Sequence, residues 1–202
     1  MDGREGPEAA AAVLLARDLF LDEGHRYGCA ETAFVVLKAA YGLRDPLDSA
    51  AAVALNGGIA YGGGPCGAVT GAALAVGLLA EGRIGDHGRA KRVAREVVAD
   101  LAEAFRAEHG ALDCRALIGY DLRAPGGHEA FLASDVWRDA CLRQVEFAVR
   151  RLAPLADPAT WDRAVAAIEG GGAPGDPGRA AAGRDGEGDS RGPAGRGADR
   201  AR

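Results

Sequence analysis

The sequence has few aromatic residues, no excess of positive charge and no long hydrophobic run, and each shortage excludes a class of protein. Only 5% of the 202 residues are aromatic, which disfavours a β-sandwich because strands are rich in aromatic and β-branched side chains. The net charge of −5 gives no electrostatic basis for binding nucleic acid. The longest apolar run, 72–80, is far shorter than the roughly 20 residues that cross a bilayer, so we predict no membrane insertion.

The first residues also lack a basic segment followed by an apolar stretch. We therefore predict no signal peptide and a cytoplasmic location. Four cysteines occur, Cys29, Cys66, Cys114 and Cys141. In a reducing compartment such residues are expected to be metal ligands, redox thiols or small core residues rather than permanent disulfides.

The residues that are abundant favour helices. Hydrophobic residues make up 48% of the chain and alanine is frequent, which suits closely packed helices. We predict an all-α fold with a helical four-cysteine domain over 7–169, a disordered N-terminus over 1–6 and a disordered Gly/Ala/Arg/Asp-rich tail over 170–202. Apolar spacing and cap residues predict helices at 7–23, 30–41, 46–55, 66–80, 87–108, 135–152 and 158–169, one helical turn after Asp113, and a loop over 120–134.

Cys66 has the most unusual surroundings of the four cysteines. A glycine run and Pro65 precede it, and an apolar helical stretch follows at once. This order places the thiol at a helix N-terminus, where backbone N–H groups favour the thiolate. Cys29 also lies near a predicted helix start. We therefore predict that Cys66 has a lowered pKa and is the nucleophile of any thiol chemistry.

The cysteine spacing by itself leaves the use of the four sulfurs open. No Cys-x-x-Cys pair is present, so the zinc-finger, ferredoxin and thioredoxin signatures are absent. Four cysteines on four helices can still converge inside a bundle. The alternative is that each is a small core residue, because free cysteine is among the most buried residue types.

The segments around the cysteines resemble a known family, the C-GCAxxG-C-C family. The resemblance covers about residues 10–155 and is carried by Tyr27-Gly28-Cys29-Ala30-Glu31, by Cys66-Gly67-Ala68-Val69-Thr70-Gly71 after three glycines, by the segment from Cys114 to Leu122, and by the lone Cys141. One departure is Gly28, where asparagine is expected. The resemblance implies a redox-active protein whose partner is a redox protein or a transporter or oxidoreductase system, and whose reaction is not established.

Three functions are compatible with these residues. In the first, Cys29, Cys66, Cys114 and Cys141 cycle between dithiol and disulfide, with an enzymatic role left open. In the second, the same four cysteines bind an iron–sulfur cluster or another soft metal as cofactor for electron transfer. In the third, the domain is a non-catalytic accessory or binding module, and its cysteines only pack the core.

Several other features have simpler explanations. The glycine-rich segment 57–67 lacks Gly-Lys-Ser/Thr and a preceding strand, so we expect close backbone approach to the sulfur site there and not a phosphate loop. His25 and Arg115 are candidates for polarising a nearby thiol, although surface positions are the simpler expectation. The Gly/Ala face of helix 66–80 suits either a helix of the same chain or a homo-oligomer interface.

Overall fold

The computed structural model of the protein describes residues 6–171, and this part of the chain is helical without strands. The all-α prediction is therefore confirmed. Residues 1–5 and 172–202, on which most of the predicted disorder falls, lie outside the described residues. The helices are α1 (Pro7–Phe20), α2 (Cys29–Ala40), α3 (Gly67–Ile84), α4 (His87–His109), α5 (Cys114–Ile118), α6 (Gly127–Leu132), α7 (Leu142–Leu152) and α8 (Pro158–Gly170), with 3₁₀ turns at Val53–Leu55 and Ala153–Ala156 and a π-helical turn at Trp137–Cys141.

Helix α2 lies at the centre of the bundle and packs against α1, α3 and α7. Every residue from Ala30 to Lys38 is buried, as expected for a helix covered on all sides. The small face of α3 meets α2 closely. A side chain at Gly67 would overlap the Cys29 sulfur, and one at Gly71 would overlap the Ala30 carbonyl. The Gly/Ala face is therefore a packing surface within the chain.

Helix α3 is the one described helix that is long and apolar enough to cross a membrane by length and composition. Half of that stretch is buried against the rest of the protein, and its neighbours are α2 and α4. This packing is consistent with the core helix of a soluble protein. The cytoplasmic location stays a prediction.

The predicted helix over 46–55 is wrong. Only Val53–Leu55 forms a short 3₁₀ turn there. The buried ammonium group of Lys38 donates hydrogen bonds to the carbonyls of Asp45 at 2.8 Å and Asp48 at 2.9 Å. The Asp45 carbonyl also accepts from the Asp48 N–H at 3.0 Å, which is the hydrogen bond of a turn. The segment therefore folds as turns around the Lys38 ammonium group.

Other boundaries also differ from the predictions. Helix α1 ends at Phe20 rather than 23, the helix predicted from 135 begins with the π-helical turn Trp137–Cys141, and the predicted loop contains α6. Helix α6 has only six residues, too few for an apolar period to show in the sequence. Asp113 precedes α5 as predicted, but its carboxylate makes no capping hydrogen bond.

Candidate functional site

Cys29 is the first residue of α2 and the only half-buried cysteine of the four; the other three are buried. Burial raises the pKa of the Cys29 thiol, and four surrounding backbone N–H groups oppose this rise because they favour the thiolate. These groups belong to Cys29 itself, Ala30, Gly57 and Gly67. Each of the other three cysteines has at most one backbone N–H group that favours its thiolate.

Asn56 connects the Cys29 thiol to a buried carboxylate. Its side-chain oxygen accepts hydrogen bonds from the Ala30 N–H at 3.0 Å and from the Cys29 thiol at 3.8 Å. Its amide nitrogen donates to Glu31 at 2.8 Å. Glu31 also accepts from the Ser49 hydroxyl at 2.8 Å and from the Gly28 N–H at 3.0 Å. The start of α2 is therefore fixed by side chains from a distant loop.

The same amide explains the departure at Gly28. A side chain at this position would overlap the Asn56 amide group. Gly28 is the residue before α2, where an asparagine ordinarily caps the helix by accepting from the second or third N–H. Here Asn56 performs this function from elsewhere in the chain, because it accepts from Ala30.

Cys66 lies at the start of α3, as predicted, but its predicted low pKa is wrong. The residue is 3% exposed, and burial raises the pKa of its thiol well above the ordinary range, with the negative charge of Cys29 adding to the effect. The single N–H of Ala68 opposes this weakly. The thiol donates to the side-chain oxygen of buried Gln144 at 3.5 Å. Desolvation therefore outweighs the helix N-terminus at this sulfur.

The Cys66 and Cys114 segments are joined by backbone hydrogen bonds. The Cys66 N–H donates to the Leu112 carbonyl at 2.8 Å, and the Cys114 N–H donates to the Gly64 carbonyl at 2.7 Å. Within the glycine run, the Gly64 N–H donates to Gly58 at 3.0 Å. The glycines therefore permit close backbone approach next to the sulfur site, as predicted.

Five consecutive residues beside the site, 57–61, have left-handed backbone conformations. Their φ angles run from 49° to 73°, and three of the residues, Ile59, Ala60 and Tyr61, are not glycine. Non-glycine residues avoid this region because the Cβ atom crowds the backbone. The segment carries the Gly57 N–H that supports the Cys29 thiolate and a tyrosine ring that lines the adjoining cavity.

The remaining two cysteines are electrostatically linked to Cys29. Burial, followed by the negative charge of Cys29, raises the pKa of Cys114 to about 12. The same causes raise the pKa of Cys141 further, with Cys114 adding to them. Cys141 ends the π-helical turn before α7, a local structure that is frequent at functional sites.

Three of the four predicted cysteines, Cys29, Cys114 and Cys141, line one cavity, and Cys66 adjoins them because the next residue, Gly67, packs against the Cys29 sulfur. All four are free thiols. Burial is the main cause of the raised pKa of the other three, and the negative charge of Cys29 adds to it. Within residues 6–171, no group of three or more His, Cys, Asp or Glu side chains is placed to hold a metal ion. The arrangement therefore does not fit a site for a single metal ion.

The two other candidates from the sequence have different positions. Exposed His25 lies on the wall of the cavity beside Cys29 and packs edge-on against Trp137, with 5.1 Å between ring centroids. Arg115 pairs with the Asp121 carboxylate at 2.8 Å.

Sequence reasoning missed Asn56 and Gln144 as partners of the sulfurs. Asn56 is a helix-breaking residue in the sequence, and nothing local indicates that its partners are in α2. Gln144 carries a usable signal, because it is a polar residue on the apolar side of a predicted helix between Cys141 and Val145. A buried amide of this kind requires a hydrogen-bond partner.

One comparison with known proteins finds a match. The family model described as "Putative redox-active protein (C_GCAxxG_C_C)" matches residues 27–155, a range that contains all four cysteines. No curated protein and no solved structure gives a significant match.

Proposed function

The chain belongs to the C-GCAxxG-C-C family, and we propose that its four cysteines form a thiol/disulfide redox centre in which Cys29 is the reactive thiol. The position of Cys29 carries this proposal. It is the half-buried cysteine, and it lines a cavity together with Cys114 and Cys141. Its charge also contributes to the raised pKa of the other three thiols. A thiol that shares a cavity wall with other thiols can form a disulfide with one of them.

Cys29 replaces Cys66 as the proposed nucleophile because of their different surroundings. A thiol reacts as the thiolate and needs access to its partner. Cys66 is almost fully buried, and only one backbone N–H supports its charge. Cys29 has four such groups and lies on the cavity wall.

The second thiol of the reaction is available on the same wall. Cys114 and Cys141 also line the cavity, so oxidation at Cys29 can be followed by attack of either thiol on the Cys29 sulfur. In this reaction, two thiols lose two protons and two electrons to an acceptor and form one disulfide. Cys66 lies behind the wall, where its thiol donates to Gln144.

We place this reaction in the cytoplasm, where a reducing environment returns the disulfide to thiols. A redox partner protein, or a transporter or oxidoreductase system, is the proposed source or destination of the electrons. Whether the chain is itself an enzyme depends on the acceptor.

The test is a thiol count combined with metal analysis on protein purified without oxygen. We expect colourless, metal-free protein that loses thiols in pairs on mild oxidation. Cys29→Ser should abolish the fastest alkylation by iodoacetamide, whereas the matched variant Cys66→Ser should leave it unchanged. Stoichiometric iron with charge-transfer absorption would instead establish a metal centre. Four thiols that resist both alkylation and oxidation would establish a purely structural role.

A further inference from the structure

The cavity beside Cys29 has a volume of about 350 Å³ and a mostly apolar wall. Clefts of this size and lining ordinarily bind small molecules through apolar contact, with a few polar groups fixing orientation. Besides the three cysteines, the wall contains three aliphatic side chains, Ile118, Leu122 and Leu132, and five aromatic ones, Phe20, Tyr27, Tyr61, Phe131 and Trp137.

The polar atoms of these aromatic side chains are partly occupied by the protein. The Tyr27 hydroxyl donates to the Leu47 carbonyl at 3.1 Å, and the Trp137 indole N–H donates to the Leu132 carbonyl at 3.2 Å. These residues therefore contribute mainly the surfaces of their aromatic rings to the cavity. Ring surfaces of this kind favour a flat, apolar partner that can stack on them or meet them edge-on.

The described residues of the wall carry no permanent positive charge. Among the described residues that line the cavity there is no lysine and no arginine, and the two histidines there, His25 and His128, pack against the rings of Trp137 and Tyr61. The one carboxylate there, Glu31, is held by Ser49, Asn56 and the Gly28 N–H. A phosphate or carboxylate bound here would lie near this negative charge without a lysine or arginine to pair with it. The carboxylate and the apolar lining together favour a neutral ligand.

A neutral, flat, apolar molecule next to redox thiols must accept two electrons and two protons to react with them. A quinone meets this requirement. Resting on the proposed thiol centre, we propose that the cavity binds a neutral quinone and that Cys29, together with a second wall cysteine, reduces it to the hydroquinone. Two S–H bonds break and one S–S bond forms, while two electrons pass to the quinone ring and two protons to its two oxygens.

The first experiment measures binding to the reduced protein without oxygen. The probe is 2,3-dimethyl-1,4-naphthoquinone, whose quinone ring has no free C–H position for thiol addition. Trp161→Phe leaves Trp137 as the only tryptophan, since the chain has two. We expect saturable quenching of Trp137 fluorescence, and at least tenfold weaker binding of the same quinone with a carboxylate on the distal ring. Absent quenching, or equal affinity for the two quinones, would overturn the inference.

A charge placed at the cavity provides a second, independent readout. Leu132 lines the cavity and is 47% exposed, whereas Leu14 is 62% exposed on α1 and does not line the cavity. In Leu132→Lys, the ratio of the affinity for the neutral quinone to that for the anionic quinone should fall at least fivefold, because the lysine adds a positive charge at the cavity. The matched control Leu14→Lys should leave this affinity ratio unchanged. A ratio that is equal in the two variants would show that the quinone does not bind in this cavity.

Thiol counting after one turnover tests the reaction itself. We expect one hydroquinone formed for every two thiols lost, and a disulfide that includes Cys29 in the peptide map. Binding without loss of thiols would overturn the proposed reduction. If diamide oxidises the thiols in pairs and the quinone does not, the quinone inference fails while the thiol/disulfide centre stands. If neither reagent produces a disulfide, the centre itself is refuted.

Discussion

The Asn56 side-chain oxygen lies 3.8 Å from the Cys29 sulfur and accepts its S–H hydrogen bond. An acceptor at this position stabilises the neutral thiol and disfavours the thiolate. The same oxygen caps α2 through the Ala30 N–H. Asn56 therefore affects both the stability of the helix and the reactivity of its first residue.

Substitution of Asn56 should separate these two effects. Asn56→Ala removes the acceptor, so we expect a lower pKa of Cys29 and faster alkylation at fixed pH, together with a loss of about 1–2 kcal/mol of stability from the missing cap. Asn56→Asp keeps the cap but adds a negative charge, so the Cys29 pKa should rise. The measurement is the pH dependence of iodoacetamide alkylation. Ser49→Ala, which removes only a Glu31 partner, is the control, and a Cys29 pKa that is equal in all variants would refute this role.

A second prediction concerns the exchange of side chains between Gly28 and Asn56. Gly28→Asn alone should destabilise the protein by about 2 kcal/mol or more, because its side chain overlaps the Asn56 amide. Adding Asn56→Gly makes room and lets the new asparagine cap α2 locally. Urea unfolding of the two single variants and the double variant gives the coupling between the sites. Additive losses would show that Asn56 does not substitute for a local cap.

The raised cysteine pKa values predict a loss of stability in alkaline solution. A cysteine in an unfolded chain ionises near pH 8.5, whereas Cys114 in the folded protein has its pKa at about 12. Above about pH 8.5 the unfolded state therefore releases protons that the folded state retains, so the free energy of unfolding falls as pH rises towards 12. The full contribution of these thiols is present below pH 8.5.

The measurement compares wild-type protein with Cys114→Ser by urea unfolding between pH 8 and pH 10.5 under reducing conditions. Each retained proton contributes at most about 1.4 kcal/mol per pH unit to the slope. The free energy of unfolding of Cys114→Ser should fall less steeply with pH than that of the wild-type protein, and the difference in slope should correspond to at most one proton. Parallel curves would mean that Cys114 ionises alike in the folded and unfolded states.

The left-handed segment 57–61 gives a test of stored backbone strain. Ala60 has φ 49°, a conformation that costs an L-residue about 1 kcal/mol relative to glycine. Ala60→Gly should therefore raise the free energy of unfolding by up to about that amount. Ala54→Gly is the matched control, because Ala54 lies in the 3₁₀ turn without a positive φ and should lose stability instead. A loss of stability in both variants would show that the backbone of Ala60 is not strained.

The accuracy of sequence reasoning depended on whether the deciding interactions were local. The bounds of helix α4 were predicted within one residue. Val93, Val97 and Leu101 form a long apolar stripe, and the Asp86 carboxylate caps the helix by accepting from the Arg89 backbone N–H at 2.7 Å. The predicted helix over 46–55 was wrong, because the segment folds as turns around the side chain of Lys38 from α2. Local patterns carry no information about such distant partners.

The same distinction applies to the site. The sequence predicts the four cysteines as one group, and the structure places three of them, Cys29, Cys114 and Cys141, on one cavity. The reactivity order was not predicted, because helix position is local whereas burial depends on the whole fold. Cys66 and Cys29 both lie at helix starts. Cys66 is almost fully buried and its thiol donates to Gln144, whereas Cys29 is half-buried and meets an N–H group from the loop at Gly57.

The backbone of residues 57–61 has a consequence for chirality. The φ values of this turn are the ordinary helical values of D-amino acids, the mirror image of the region that L-residues prefer. A chain assembled by chemical ligation with D-alanine at position 60 should fold at least as stably as the natural chain, whereas D-alanine at Ala33 in α2 should disrupt the bundle. At residues 57–61 the backbone conformation therefore suits D-amino acids better than L-amino acids.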